Sequence, residues 1–303
     1  MKVLKFGGTS VAHASNIDKV IDIIFDAKKK GDDIVVVVSA LSGITDNLIM
    51  LANLASKGDL KYKTIFKAIC GRHDQAIAEL IDSKDREKVL AEINKKYNEL
   101  EMIVKNSFSK KGLLLSELDA VMSFGERLSS FVIGEGIKNR GVSCEFVDSR
   151  KVIKTDDNFG AANVDLEKSY KLIAERLTGK ALSIMGGFIA STKDGLTTTL
   201  SRGGSDYTAS LVGAALDASV IEIWTDVDGI MTEDPKKMKN ALLIREISYE
   251  KAEEMAYNGA KVIHPKTIRP AVLKNIPIYV KNTFNPMGGG TRISNQVSKN
   301  EKK

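Results

Sequence analysis

Five consecutive β-branched residues, Ile34-Val35-Val36-Val37-Val38, constrain this chain more than any other stretch. Side chains alternate faces along a strand, so a run with no polar position has to bury both faces. A strand of that kind belongs inside a parallel sheet with helices on either side. The residues before it complete the unit. An apolar run carrying one charge, Lys5, leads directly into Gly7-Gly8-Thr9-Ser10. Ile17, Val20, Ile21 and Ile24 then recur at helical spacing behind Ser15, a candidate N-cap, and Gly31 stops the helix. Both strands of this βαβ unit end in small polar loops, residues 7–10 and 39–47. That is the carboxyl edge at which open α/β sheets bind ligands.

The first of these loops has a chemical reading. Glycine has no Cβ and tolerates positive φ, so a Gly-Gly turn lets a backbone come close to a phosphate. The helix that follows aims its unpaired N–H groups at the same spot, and Lys5 adds a full positive charge. A tight turn after an edge strand would look the same, because a lone glycine turn is a weak signal.

The alternation of strands and helices runs on. Residues 47–110 are helical by period and rich in Lys and Glu, which reads as a helical insertion and a candidate cap over the site. An amphipathic helix follows residues 120–130 and closes near Gly141. Residues 143–147 read as a strand, 155–160 as a polar loop, 166–177 as a helix, and 181–189 as one buried strand containing Gly186-Gly187. The second half opens on Arg202-Gly203-Gly204-Ser205-Asp206, with Ser205 or Asp206 expected to cap a helix over 207–216. A strand at 220–224 precedes an acidic loop, helices are expected near 249–258 and 266–273, and a late strand at 278–281. Gly288-Gly289-Gly290 and the lysine-rich end read as a frayed tail. The expectation is an α/β fold: a mostly parallel sheet covered on both faces, with two lobes on one continuous sheet.

Composition narrows the function. No apolar run reaches the roughly 18 residues that span a bilayer, and the glycines and Lys5 break any signal-peptide core. Cys70 and Cys144, in separate segments, read as reduced thiols of a cytoplasmic protein. The three histidines are too scattered for a zinc site. A net charge of +6, with lysines spread evenly, lacks the basic stripe and interleaved aromatics of a nucleic-acid reader. It does suit small anionic substrates. The chain also lacks a Gly-x-Ser-x-Gly elbow and a cysteine beside a histidine, which argues against a hydrolase. A kinase acting on a carboxylate needs neither. Its acceptor, with a pKa near ~3.9, is already ionised, and the protein has only to hold two anions and neutralise the phosphoryl group in flight. Lysine, glycine amides and a Mg²⁺ carried on the nucleotide suffice.

Taken singly, the remaining clusters have plainer readings. Glu126-Arg127 could be a surface pair, residues 202–206 a turn and cap, Asp226-Val227-Asp228-Gly229 a type I′ turn, and Lys261 a solvated lysine. Together they resemble the aspartate kinase family of the amino acid kinase superfamily. The resemblance rests on Lys5-Phe6-Gly7-Gly8-Thr9-Ser10, Phe124-Gly125-Glu126-Arg127-Leu128-Ser129, Ser201-Arg202-Gly203-Gly204-Ser205-Asp206, Trp224-Thr225-Asp226-Val227-Asp228-Gly229 and Gly259-Ala260-Lys261-Val262-Ile263-His264-Pro265. It covers roughly residues 2–294.

The resemblance implies a three-layer αβα sandwich and ATP-dependent phosphorylation of the L-aspartate β-carboxylate, the first step toward lysine, threonine and methionine. Lys5 and Asp206 would be catalytic, with Asp206 orienting Lys5. Ser39, Thr45, Glu126, Arg202 and Ser205 would bind aspartate, Glu126 at the α-ammonium and Arg202 at the α-carboxylate. Lys5, Gly7, Gly8, Thr9, Thr225, Asp226, Met231, Asp234, Lys236 and Lys261 would bind ATP, with Mg²⁺ carried by the nucleotide and no protein metal site. An aspartate-binding lobe would occupy about 1–200 with its insertion at 47–112, a nucleotide-binding lobe about 201–294, and a basic tail 295–303. The resemblance allows a homo-oligomer and expects no nucleic-acid or membrane partner. It departs at Met231 and Lys236, where many members carry tyrosine and arginine. Most members also continue into two regulatory modules, so a chain stopping at Lys303 reads as an unregulated catalytic unit or one regulated by another chain. The rival readings are a kinase for glutamate, N-acetylglutamate or carbamate, and a nucleotide-binding protein without turnover.

Overall fold

The strand Ile34–Val38 is buried at all five positions, as its composition requires. In the computed structural model, which describes residues 1–233, 241–257 and 265–295, it lies inside an eight-stranded sheet. In chain order the elements begin β1 (Lys2–Phe6), α1 (Ala14–Lys29), β2 (Ile34–Val38), α2 (Ile44–Ser56), α3 (Tyr62–Leu80) and α4 (Ser83–Lys110). They continue with α5 (Leu115–Met122), α6 (Phe124–Asn139), β3 (Glu145–Val147), α7 (Ser149–Val152), β4 (Lys154–Thr155) and α8 (Leu166–Leu177). Next come β5 (Leu182–Gly186), β6 (Ile189–Thr192), β7 (Thr197–Thr199), α9 (Gly204–Ala215) and β8 (Val220–Thr225). The described chain closes with β9 (Glu246–Ile247), α10 (Tyr249–Tyr257), α11 (Pro265–Leu273), β10 (Ile278–Asn282) and β11 (Thr291–Ile293).

The main sheet runs β3-β5-β2-β1-β8-β10-β11-β9, and β4-β6-β7 form a small second sheet. In the main sheet every pairing is parallel except β10 with β11. The period of two divides its centre between two cores. Leu4, Phe6, Ile34, Val36 and Val38 pack with the helices α1 to α4 and α6. Val3, Val35 and Val37 face the other way, onto α8, α9 and α11. Three layers follow from two buried faces.

Several local expectations are corrected. Helix α1 starts at Ala14, one residue before Ser15, and its N-cap His13 makes no side-chain cap. Helix α9 starts at Gly204, so Ser205 and Asp206 stand inside its first turn and cap nothing. The expected strand at 181–189 is two strands in different sheets, parted at Gly187-Phe188, where Phe188 takes a φ of 65°. The loop expected at 155–160 begins within β4, which pairs with β6. Residues 288–290 are no tail: they turn β10 into β11, and a side chain at Gly290 would overlap the Val280 carbonyl. The helical insertion starts earlier than expected, since α2 begins at Ile44 directly behind β2. Helix α6 is buried almost all round its first turns, so its sequence is not that of a half-exposed amphipathic helix.

Candidate active site

Lys5 points out of β1 on the Val3 side, in register with Val37 of β2 and Ile223 of β8, and is only 8% exposed. A buried ammonium requires a partner. Asp206 supplies it, with Oδ1 2.6 Å from Lys5 Nζ. Asp206 is delivered by the turn into α9, where Gly203 has a φ of 81°, a conformation that costs any residue with a Cβ. The turn after β1 runs under the lysine. Gly7 N–H donates to the Trp224 carbonyl (3.0 Å). A Cβ on Gly8 would sit 3.1 Å from the Ala40 carbonyl, and one on Gly7 would sit 3.8 Å from Lys5 Nζ. At Gly8 close approach, rather than positive φ, favours glycine, while a Cβ at Gly7 would meet only ordinary contacts. Thr9 is exposed beside them, its carbonyl accepting from Asn16 Nδ2 (2.9 Å).

Three further backbones converge on this turn. A Cβ at Gly186 would lie 2.8 Å from Glu126 Cβ, and one at Gly187 would lie 2.6 Å from Ser205 Cβ. The end of β5, the first turn of α6 and the first turn of α9 are therefore in direct contact. Glu126 is buried here. Its Oε1 accepts from Ala40 N–H (3.1 Å), while its Oε2 has no partner. Burial pushes its carboxyl up to about 8, against the opposing pull of the Ala40 N–H and the charge of Lys5. The surface-pair reading of Glu126-Arg127 fails, because both residues are buried. Ser39 closes β2, its carbonyl held by Ser129 Oγ (2.8 Å). Thr45 is half-buried in the first turn of α2, with Oγ1 close to Gly125. Arg202 is exposed, two residues ahead of α9. Lys5, Gly7, Gly8, Ser39, Thr45, Glu126, Ser205 and Asp206 thus gather at the carboxyl ends of β1, β2 and β5.

Thr225 and Asp226 stand at the end of β8, next to Gly7's acceptor, and Thr225 Oγ1 donates to Asp226 Oδ1 (3.1 Å). No type I′ turn follows: of residues 226–229 only Gly229 has positive φ, at 146°. Met231 is half-buried and bridged through its backbone to Leu243. Asp234, Lys236 and Lys261 lie outside the described residues.

Sequence reasoning missed the hydroxyl pair that ties this end together. Ser10 Oγ lies 2.7 Å from Thr283 Oγ1 and donates to the Trp224 carbonyl (3.3 Å). Thr283 N–H in turn donates to the Thr225 carbonyl (2.8 Å). Ser10 stood in plain view behind Gly7-Gly8, but Thr283 carries no local signal. It matters only because β10 lies beside β8. Asp228 is fixed similarly, by Asn282 and Asn285 Nδ2, each at 3.0 Å.

The arrangement can receive an anion on the Lys5 ammonium and a cation on the free oxygen of Glu126. No histidine takes part among the described residues: His73 is buried in α3, and His13 precedes α1. Among the described residues no three acidic, His or Cys side chains are grouped to hold a metal, and no helix is long and apolar enough to cross a membrane.

Comparison with known proteins gives three concordant results. The sequence profile of the "Amino acid kinase family" matches residues 1–282. Lysine-sensitive aspartokinase 3 of Escherichia coli is 37% identical over 299 residues, covering 97% of this chain and 64% of the relative. A bifunctional aspartokinase/homoserine dehydrogenase of Arabidopsis thaliana is 33% identical over 299 residues, 96% of this chain and 32% of the relative. The chain thus spans between a third and two thirds of the length of these relatives. Among solved structures, E. coli aspartokinase III in complex with aspartate and ADP superposes with a TM-score of 0.89 at 36% identity, covering 99% of this chain and 65% of that one.

Proposed function

The chain belongs to the amino acid kinase family, and we propose that it is the catalytic unit of an aspartate kinase. The reaction is transfer of the γ-phosphoryl group of ATP to the β-carboxylate of L-aspartate. It gives 4-phospho-L-aspartate and ADP for amino-acid biosynthesis. The observation that carries the reading is Glu126, a buried carboxylate with one oxygen held by Ala40 N–H and the other unpartnered. An α-ammonium is the cation that fits there. An N-acylated amino acid or a carbamate offers none.

The remaining roles follow from position. The Gly7–Gly8 turn fits a nucleotide phosphate, since it presents backbone with no side chain directly beneath an ammonium. Lys5 neutralises charge on the phosphoryl group as it passes between the two anions. Asp206 holds the Lys5 ammonium in place, and the same first turn of α9 brings Ser205 to the reacting groups. Arg202, flanking that turn, offers a planar fork to the α-carboxylate. Ser39 and Thr45 border the substrate on the β2 side. Thr225 and Asp226, with Met231, Asp234, Lys236 and Lys261, form the nucleotide end. Mg²⁺ bound to ATP would supply Lewis-acid neutralisation of its phosphates. The aspartate-binding lobe is about 1–200 and the nucleotide-binding lobe about 201–294, on one continuous sheet, with Arg202 and Ser205 reaching the aspartate from the second and the Gly7–Gly8 turn reaching the phosphates from the first.

A coupled ADP-release assay with L-aspartate, L-glutamate and N-acetyl-L-glutamate, with hydroxylamine added to trap an acyl phosphate, tests the reading. Aspartate-dependent turnover with hydroxamate formation is expected. Turnover on N-acetylglutamate in preference to aspartate would refute it.

A further inference from the structure

Helix α6 carries a second charged residue directly after Glu126, and it faces a different space. Arg127 is buried, its guanidinium 4.1 Å from the centre of the Phe124 ring. Its Nη2 donates to Glu99, and its Nε and Nη1 have no partner among the described residues. It lines an open cleft of about 280 Å³ between α4, α5, α6, α7 and β7. Met102, Ile103, Ala120 and Phe124 make the apolar walls, and Arg150 faces in from α7.

Three positive side chains stand in or beside this cleft, and they are held unequally. Arg150 is fixed: Nε and Nη2 donate to Asp148 (3.0 and 2.6 Å), and Nη1 donates to Thr197 Oγ1 (3.3 Å). Lys96 lies over the rings of Phe131 and Phe146 at 5.4 and 5.6 Å, with no ion pair among the described residues. Lys96 and Arg127 both feel the carboxylates of Glu99 and Asp148, and Lys96 also acts on Glu92, which is paired with Lys95. Positive charge is thus gathered in a partly desolvated setting, where it is costly. Burial holds both Lys96 and Arg127 below their ordinary values. The charge of Arg127 adds to that on Lys96, as Arg150 does on Arg127. Glu99 is the loose member: its side chain is 54% exposed, and among the described residues its one ion pair is with Arg127.

We propose that this cleft binds a small organic carboxylate with an apolar tail, its head on Arg127 in the place Glu99 now takes. A planar carboxylate matches a guanidinium fork bidentately. The tail would lie against Ile103 and the exposed Met102, surfaces that a bare phosphate would leave uncovered. Glu99 is then a built-in competitor that swings outward when the ligand enters. The cleft stands at the small end of ligand pockets, which limits the ligand to about ten non-hydrogen atoms.

Calorimetric titration of the whole chain with phenylacetate tests this, with inorganic phosphate and 2-phenylethanol titrated in parallel. Phenylacetate should bind saturably with a Kd on the order of 1 mM, as expected for so small a ligand. Glu99→Gln, on the exposed side of the contact, should tighten phenylacetate about tenfold by removing the internal competitor. Met102→Trp, which fills the mouth, should weaken it at least tenfold, and this separates the cleft from any carboxylate binding near Arg202. The inference is overturned if neither the wild type nor Glu99→Gln binds phenylacetate saturably. It is equally overturned if Glu99→Gln fails to tighten or Met102→Trp fails to weaken binding. Phosphate or phenylethanol binding as tightly as phenylacetate would also overturn it.

Discussion

Glu126→Gln should make the empty protein more stable while removing its grip on substrate. Glu126 is almost wholly buried, one oxygen is unpartnered, and burial raises its carboxyl from 4.5 to about 8. A group whose folded value lies above its unfolded one contributes stability that is full below 4.5 and is lost as pH rises through 8. At pH 7 the unfolded chain releases this proton and the folded chain largely keeps it, which costs about 3 kcal/mol relative to glutamine. By pH 9 the folded carboxylate is bare, and the difference reaches about 5 kcal/mol. Urea unfolding of both proteins from pH 4.5 to 9 should therefore show Glu126→Gln gaining steadily with pH. Aspartate should reverse the order, because its ammonium gives the wild-type carboxylate the partner it lacks. Calorimetry in buffers of different ionisation enthalpy should detect close to one proton released per aspartate bound at pH 7, falling to none well above pH 8. Parallel stability curves for the two proteins, with no proton release, would refute the reasoning, since Glu126 would then be ionised and paired before substrate arrives.

Three other substitutions probe separate links. Lys5→Met should leave the fold intact and lower turnover by about a hundredfold or more, the size expected for one lost charge-stabilising donor; steady-state rates of the purified variant near wild type would remove Lys5 from the site. Arg202→Lys should raise the KM for aspartate more than tenfold and leave the KM for ATP nearly unchanged, because an ammonium cannot copy two parallel hydrogen bonds; loss of ATP affinity instead would mean the two ends of the cleft are exchanged. His73 is fully buried with Nε2 unpartnered, and burial lowers it from 6.5 to about 4. Its folded value lies below its unfolded one, so its contribution is full above 6.5 and is lost as pH falls toward 4. Thermal melts of His73→Leu should accordingly show a shallower acid limb than the wild type, and identical limbs would show that His73 does not titrate there.

By itself the sequence determined the sheet, the layers and the family. A five-residue β-branched run can only be an interior strand, so Ile34–Val38 fixed helices on both faces. Leu166–Leu177 was legible to the residue because its helical period is clean, and the structure adds Asp165 as its N-cap. Lys5 ahead of Gly7-Gly8 was legible as a strand-end turn under a lysine because its parts are adjacent in the chain. Where expectation failed, the deciding force was tertiary. The break at Gly187-Phe188 could not be read from an apolar stretch, since what parts the two strands is the first turn of α9 pressing on Gly187. The alternative of a surface pair at Glu126-Arg127 stayed open in the sequence because a helical period says nothing of what covers the other side. Only the packing of α6 against β5 and Ala40 buried Glu126 and left one of its oxygens free. The Ser10–Thr283 pair joins residues 273 positions apart, and no local pattern encodes it. It exists because β10 lies beside β8, a neighbour relation that sheet order alone decides.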